Sequence, residues 1–202
     1  MARASRAVAE QHKAAIEAAS ARLFREHGLH GVSVAQVMAD AGLTHGGFYG
    51  HFASRDDLVA RACSLAFEES ARRWRHRIDQ AQGDRQAARR NLVEQYLSTT
   101  HRDTAGRGCA ASALAGDVAR EAADKPVHDA YQQGIKTLLD IWKSTAPDAD
   151  GTDTSHSKAL VEIATLVGAI TIARATRGDA LSDDILAAAQ VTLLATPETV
   201  GA

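Results

Sequence analysis

The sequence contains few of the residues that stabilise small secreted or β-rich proteins. Its 202 residues include only two cysteines and three prolines, and aromatic residues make up 4%. Two cysteines cannot form a disulfide framework, and Cys63 and Cys109 lack the close spacing of metal ligands. Alternating β-branched runs are scarce and alanine is abundant, so the composition predicts an all-α protein.

Long hydrophobic segments and a strong net charge are also missing. The N-terminus has no apolar core of a signal peptide, and the longest apolar run is interrupted by Glu162 and is too short to cross a membrane. These features predict a cytoplasmic protein. The formal net charge of −2 gives no general electrostatic reason for nucleic-acid binding. Residues 1–55 nevertheless contain six lysines and arginines against four acidic residues.

The first 60 residues contain a series of helix start and stop signals. A helix over residues 8–27 is followed by Ser33 and Gln36, which have the spacing of a capping box. A glycine ends this second, short helix, and Thr44 is placed to cap a third. Ser54 then begins a long helix. The pattern predicts a helix, a short helix, a glycine turn, another short helix and a long helix.

The second short helix, LTHGGFYGHF, has an unusual composition. Phe48 and Phe52 are four residues apart and share one helix face. Gly46, Gly47 and Gly50 lie in the same segment, although each interior glycine costs a helix about 1 kcal/mol relative to alanine. The glycines therefore need an explanation outside helix propensity.

Two short helices joined by a glycine turn make a helix-turn-helix candidate. The segment SVAQVMADAGLTHGGFYGHFASRDDL, residues 33–58, resembles the DNA-binding motif of TetR-family transcriptional regulators. The positions that carry the resemblance are Thr44, Gly46, Phe48, Tyr49, His51, Phe52, Ser54, Arg55, Asp56, Asp57 and Leu58.

The resemblance implies an N-terminal three-helix DNA-binding domain, residues 1–54, followed by a larger helical ligand-binding and dimerisation domain, residues 55–202. It implies a sequence-specific regulator that acts as a homodimeric, ligand-responsive repressor on a palindromic operator in double-stranded DNA. A regulator without a small-molecule ligand, or an activator, is the alternative. No cofactor or metal is expected, and no catalytic arrangement favours an enzyme.

The resemblance also implies which residues contact DNA. In this interpretation the glycines let the helix backbone approach the DNA, while Phe48 and Phe52 anchor the opposite side. The alternative is that the glycines only permit a tight turn. The expected DNA-binding residues are Ser33, Thr44, His45, Gly46, Gly47, Tyr49, His51 and Arg55.

The C-terminal part predicts a dimer interface. The segment 159–173 is apolar on nearly all faces, which favours burial against both a core and a partner subunit. A second apolar helix follows, so two subunits would form a four-helix interface. A central helix of a monomer is the alternative. The predicted interface residues are Leu160, Ile163, Val167, Ile170, Leu186 and Leu193.

A ligand pocket is expected mainly from the resemblance. Its candidate residues are Phe67, Trp74, Tyr96, Cys109, His128, Tyr131 and Trp142, although residues of each of these types more often belong to a plain core. The basic run RRWRHR, residues 72–77, predicts a solvated helix face, with a rim that attracts an acidic ligand as the alternative. The two cysteines favour buried, inert thiols over a redox sensor.

Two further classes of function compete with the regulator. A non-specific architectural DNA-binding protein needs a strongly basic surface, which a chain of net negative charge does not favour. A protein-interaction module that has lost DNA binding would keep the same fold pattern.

Overall fold

The computed structural model describes residues 2–146 and 153–195, and these residues form helices and connecting turns without a β-strand. The all-α prediction is confirmed. No helix in these two ranges is long and apolar enough to cross a membrane. In chain order the elements are α1 (Ala2–His27), α2 (Val34–Asp40), a 3₁₀ helix (His45–Gly50), α3 (Arg55–Gln80), α4 (Arg85–Tyr96), α5 (Thr99–Asp103), a second 3₁₀ helix (Ala105–Arg107), α6 (Ala110–Val118), α7 (Val127–Lys143), α8 (Asp153–Ala175) and α9 (Ala180–Leu194).

The chain forms two compact units. The first unit comprises Met1–Ala71 and Ala105–Leu138, and the second comprises Arg72–Thr104 and Leu139–Ala202. Each unit has its own buried apolar side chains, such as Phe24 and Leu58 in the first and Trp142 in the second. The predicted division into a DNA-binding and a sensing domain between residues 54 and 55 concerns function, and it stays a prediction.

Local signals set the ends of the first two helices as predicted. The Ser33 hydroxyl accepts a hydrogen bond from the Gln36 amide at 3.2 Å, and the Gln36 side chain accepts one from the Ser33 amide at 2.8 Å. This is the predicted capping box. Gly28 and Gly42 follow α1 and α2 with φ of +77° and +72°, a conformation that side chains disfavour. Helix α1 differs from the prediction because it begins at Ala2 rather than near residue 8.

Beyond residue 81 the sequence pattern predicts helices over residues 85–102 and 109–123 and a loop over residues 146–157, and the structure differs at several of these ends. The helix predicted over residues 85–102 breaks, because Ser98 accepts a hydrogen bond from the His101 amide at 3.1 Å and caps a new helix, α5. Helix α6 ends at Val118, five residues before its predicted end. The predicted loop over residues 146–157 lies partly outside the described residues, and its last part belongs to α8, which begins at Asp153.

Contacts within the second unit explain why a charged residue, Glu162, interrupts the apolar sequence of α8. In the second unit, Glu162 pairs with Arg89 and also accepts a hydrogen bond from the Trp142 indole nitrogen at 3.0 Å. The Arg89 guanidinium lies over the Trp142 ring, 4.1 Å from its centroid. Glu162 therefore satisfies two donors within the unit.

Candidate nucleic-acid interface

The second short helix of the predicted motif forms a 3₁₀ helix, a type found in short pieces. Backbone bonds close it: the Gly47 amide donates to the Thr44 carbonyl at 3.0 Å, and the His51 amide donates to the Phe48 carbonyl at 2.9 Å. Thr44 occupies the N-cap position, but its side chain makes no capping hydrogen bond. The predicted cap position of Thr44 is therefore correct, but the side chain does not form the cap. Its exposed side chain remains available to a partner.

One side of the 3₁₀ helix is anchored in the first unit. Phe48 and Phe52 are 1% and 3% exposed, and their rings stack with centroids 5.7 Å apart. The prediction that these two phenylalanines face the core is confirmed. Burying two aromatic side chains supplies several kcal/mol, at about 1.5–3 kcal/mol for each large apolar side chain. This burial holds the glycine-containing segment in place.

The glycines on the other side are not required by the fold. A Cβ atom placed on Gly46 or on Gly50 would meet no atom within 4 Å, and one on Gly47 would make only an ordinary contact of 3.7 Å with Met38. None of the three has a positive φ, unlike Gly42, which makes the preceding turn. The tight-turn alternative therefore has no support at Gly46 and Gly50. Their missing side chains expose the helix backbone to an external partner.

Polar side chains surround this bare surface. Thr44 and His45 are exposed at the start of the 3₁₀ helix, and Tyr49 is 76% exposed. His51 is half-buried, with its ring centroid 6.1 Å from that of His12 on α1. These side chains supply hydroxyl and imidazole groups that can donate to phosphate oxygens or base edges.

Ser33 is already used in folding. Both its amide and its hydroxyl hydrogen bond to the Gln36 side chain, each at 2.8 Å. A phosphate bound near the start of α2 would therefore depend on the neighbouring amides rather than on the Ser33 hydroxyl. The predicted DNA contact of Ser33 itself stays a prediction.

Arg55 is held against the segment that follows α1. Its guanidinium donates a hydrogen bond to the Leu29 carbonyl, and the Leu29 amide donates to the Asp117 carboxylate at 2.7 Å. Both backbone groups of the buried Leu29 are thus satisfied by side chains. Arg55 was expected to be a strong phosphate contact, and the structure shows that part of its guanidinium already has a protein partner.

Lys13 is a candidate that sequence reasoning missed. Its ammonium nitrogen lies 5.7 Å from the centroid of the Phe52 ring, within reach of a cation–π interaction, and the side chain is exposed. The position of Lys13 on α1, more than 30 residues before the 3₁₀ helix, carries no local signal. Only packing within the first unit brings this positive charge to the candidate surface.

The predicted ligand residues of the first unit form part of a packed core. The Phe67 and Tyr131 rings contact edge to face at 5.3 Å, and the Tyr131 hydroxyl donates to the Ala111 carbonyl at 2.8 Å. Cys109 is buried, and the His128 Nε2 atom lies 3.1 Å from the Ala122 carbonyl oxygen. These contacts satisfy the side chains internally.

Both cysteines lie in this unit and are buried. Burial raises the pKa of the Cys63 thiol to about 12 and also raises the pKa of the Tyr131 hydroxyl. Because the thiolate is the reactive form, the Cys63 thiol is unreactive at neutral pH. This agrees with the expectation of inert thiols.

The remaining predicted ligand residues pack inside the second unit. Trp74 lies 5.8 Å from Tyr96 and 6.1 Å from Trp142 between ring centroids, and all three side chains are buried. The seven predicted ligand residues therefore form two groups, each packed within its own unit. Aromatic scarcity in the sequence did not distinguish a pocket from a core.

The predicted interface residues differ in how exposed their side chains are. Four of them, Ile163, Ile170, Leu186 and Leu193, are buried in the second unit itself. Leu160 is 45% exposed and Val167 is half-buried. These four side chains pack within their own subunit, and their place in a dimer interface stays a prediction. Across residues 2–146 and 153–195, no three histidine, cysteine, aspartate or glutamate side chains are grouped to hold a metal ion.

Comparisons with known proteins agree with the helix-turn-helix geometry. A family model described as bacterial regulatory proteins of the tetR family matches residues 16–62, which contain the C-terminal part of α1, α2, the 3₁₀ helix and the start of α3. No curated protein shows significant similarity to the chain.

Solved structures share the fold at low sequence identity. A TetR-family transcriptional regulator from Agrobacterium tumefaciens is 19% identical with a TM-score of 0.75, covering 92% of this chain and 97% of that one. The reduced form of NemR from E. coli is 17% identical with a TM-score of 0.73, covering 90% and 94%. FadR from Bacillus subtilis, in complex with stearoyl-CoA, is 13% identical with a TM-score of 0.67, covering 90% and 97%.

The family match covers the segment that carries the exposed, glycine-faced 3₁₀ helix, and the fold is shared over nearly the whole chain. Residues 16–62 therefore match the tetR family of bacterial regulatory proteins, and the chain shares the fold of solved TetR-family transcriptional regulators.

Proposed function

We propose that this protein is a ligand-responsive transcriptional repressor that acts as a homodimer on a palindromic operator. The observation that carries the proposal is the 3₁₀ helix whose outer side has no side chain at Gly46 and Gly50, while Phe48 and Phe52 anchor its inner side. A major groove about 12 Å wide admits such a helix closely.

The side chains on this surface favour a particular kind of DNA recognition. Thr44, His45 and Tyr49 are short or single-pronged donors, and none offers the two-pronged pairing that arginine makes with guanine. Lys13 adds a positive charge suited to a phosphate. Operator choice would therefore depend strongly on DNA shape and on the spacing of half-sites.

An exposed apolar face supports the homodimer. On α8, Val161 and Ile172 are 65% and 51% exposed, and on α9, Leu181 and Val191 are 51% and 72% exposed. Gly168 lies between the two α8 residues, and a Cβ atom there would meet nothing within 4 Å. Several large apolar side chains exposed on two neighbouring helices are typical of an interaction site. The proposed interface thus uses these residues with Leu160.

A set of polar contacts within the first unit supports a response of the DNA-binding surface to a ligand. Asp117 accepts from the Leu29 amide at 2.7 Å, and Glu121 lies 3.2 Å from the His30 imidazole. These contacts tie the end of α6 and the turn after it to the segment that leads into α2. A small shift of α6 would therefore move the helix-turn-helix directly.

The energy required for such a response is small. A coupling of 1–3 kcal/mol changes affinity by roughly 5- to 150-fold. The complex of FadR with stearoyl-CoA shows that one protein of this fold holds a small-molecule ligand, and this supports a ligand response in the present chain. A regulator of this kind would act in the cytoplasm, where bacterial DNA lies.

Selection of bound fragments from genomic DNA, followed by sedimentation of the protein with the enriched fragment, tests the proposal. We expect an enriched palindrome with half-sites spaced by whole helical turns, a dimeric free protein at micromolar concentration, and lower reporter transcription when the protein is present. Enrichment of random DNA would contradict the specific regulator. Higher reporter transcription would identify an activator.

A further inference from the structure

The second unit contains a polar cleft that the proposed function does not use. The cleft has a volume of about 390 Å³, within the range of roughly 300–1,000 Å³ found for small-molecule sites. Three half-buried side chains line its inner part, Arg73, Arg77 and Asn91. Four exposed side chains line its rim, His76, Gln80, Glu94 and Gln95. The lining therefore consists of polar and charged side chains.

Helix periodicity explains this grouping. Arg73, His76, Arg77 and Gln80 follow one another at helical spacing along the last turns of α3, and Asn91, Glu94 and Gln95 do so on α4. The basic run RRWRHR is therefore divided by the helix. Arg73, His76 and Arg77 face the cleft, Trp74 is buried, and Arg72 and Arg75 are exposed outside it.

Arg77 has no protein counter-ion in the described part of the chain. Two other half-buried arginines of the second unit have acidic partners: Arg89 pairs with Glu162, and Arg102 pairs with Asp183 at 2.6 Å. Burial lowers the pKa of the Arg77 guanidinium because the charged form is desolvated. A half-buried charge without a partner is costly to fold around, so its position in a cleft indicates an external anion.

A buried histidine near the two arginines reflects their positive potential. The imidazole of His101, on α5, contacts the Tyr96 ring at 4.7 Å between centroids. Burial lowers the pKa of His101 to about 4, and the positive charges of Arg174, Arg73 and Arg77 act in the same direction. The His101 imidazole is therefore neutral at neutral pH. Among the described residues that line the cleft, Glu94 is the one acidic side chain.

We infer that this cleft binds a small polar organic anion through Arg73 and Arg77. The ligand carries a carboxylate or phosphate group, which guanidinium groups bind with strong, charge-assisted hydrogen bonds. The amides of Asn91, Gln80 and Gln95 can donate to or accept from further polar groups, and Glu94 accepts from a hydroxyl or amino group of the same ligand. Binding at the cleft is independent of DNA binding, whereas its role as the effector site rests on the proposed function.

Calorimetric titration of the full chain with succinate, inorganic phosphate and succinamide tests the binding. Succinamide has the shape of succinate without its charge. We expect saturable binding of succinate or phosphate and none of succinamide, and the stronger of the two anions identifies carboxylate or phosphate as the preferred group. Trp74 follows Arg73 on α3 and is 3% exposed, so a change of tryptophan fluorescence should accompany binding.

Single charge changes locate the site. Arg77→Gln should weaken anion binding about 10-fold or more, the size expected for a hydrogen bond to a charged group. Arg75→Gln is the matched control, since it removes the same charge from the same basic run outside the cleft, and it should leave binding nearly unchanged. Glu94→Gln should strengthen binding about 2-fold by removing a like charge from the rim. Damage to the fold cannot produce effects of opposite sign.

Equal losses in the Arg77 and Arg75 variants, or no saturable binding of either anion, would overturn the inference. Addition of the bound anion to the protein–operator complex separates the two proposals. Anion binding without release of DNA would keep the cleft but remove its effector role. Absence of any operator binding would remove the proposed function and leave the calorimetric result untouched.

Discussion

Substitution of Gly46 tests whether the bare side of the 3₁₀ helix exists to meet DNA. A Cβ atom at this position meets nothing within 4 Å, and its φ is not positive, so alanine fits the folded protein without strain. Replacing a helical glycine by alanine stabilises by roughly 0.5–1 kcal/mol when the conformation allows it. We therefore expect Gly46→Ala to raise the free energy of unfolding by about this amount.

The effect on DNA binding should have the opposite sign. Gly46→Leu adds a side chain that would occupy the space between the helix backbone and the groove. We expect it to keep the fold and to reduce operator affinity at least about 10-fold, which corresponds to about 1.4 kcal/mol. Urea unfolding and a fluorescence-anisotropy titration with operator DNA measure the two quantities on the same preparations.

Gly116→Leu is the matched control, because Gly116 is exposed on α6 and a Cβ atom there makes only ordinary contacts with Arg120. It should leave operator affinity unchanged. Unaltered operator affinity in Gly46→Leu would refute the explanation that the helix backbone approaches DNA closely at Gly46. A loss of stability in Gly46→Ala would contradict the conclusion that a side chain has free space at this position.

Four other substitutions have expected outcomes. Lys13→Ala should reduce the slope of log affinity against log salt by about 0.9, since one phosphate contact is lost. Val191→Glu should convert the dimer to a monomer in sedimentation, because it places a charge on the exposed apolar face of α9. Gly134→Ala should lower the free energy of unfolding by about 1–3 kcal/mol, since its Cβ would lie 2.2–2.5 Å from the Phe67 ring. Glu162→Ala should cost about 3 kcal/mol in unfolding experiments, because the paired arginine is left buried without a counter-ion.

Each of these has a control of the same chemistry. Lys136→Ala, at an exposed position of α7, should leave the salt slope intact, and Val8→Glu, at another exposed valine, should leave the dimer intact. Gly116→Ala should not destabilise, since its Cβ has room, and Glu10→Ala should cost little because its ion pair with Arg6 is exposed. Effects in a control equal to those in its test variant would contradict the corresponding explanation.

The order of helices in the first 60 residues was predictable because its signals are local. The Ser33–Gln36 capping box and the Gly28 and Gly42 stops each involve residues within a turn or two of one another. The same reasoning failed at Thr44, where the cap position is correct but the side chain makes no bond. It also failed at Ser98, where a cap breaks a helix that apolar periodicity would have continued.

The candidate site was predictable only in part. The motif pattern identified the segment around Gly46 and Tyr49, and the spacing of Phe48 and Phe52 correctly predicted which side is buried. It missed Lys13, which reaches the site only through packing of distant segments. It placed Arg55 among the DNA-binding residues but did not predict that the guanidinium binds the Leu29 carbonyl.

The sequence by itself determined the helical class, the helix-turn-helix and the two anchoring phenylalanines, because caps, glycine stops and four-residue spacings act over a few residues. Tertiary structure decided which apolar faces of α8 and α9 are core and which are exposed. The sequence of a helix that is apolar on all sides does not indicate which side packs against its neighbours. Tertiary structure also decided that Arg77 lacks a counter-ion while Arg89 has one, because such pairing depends on which helices meet.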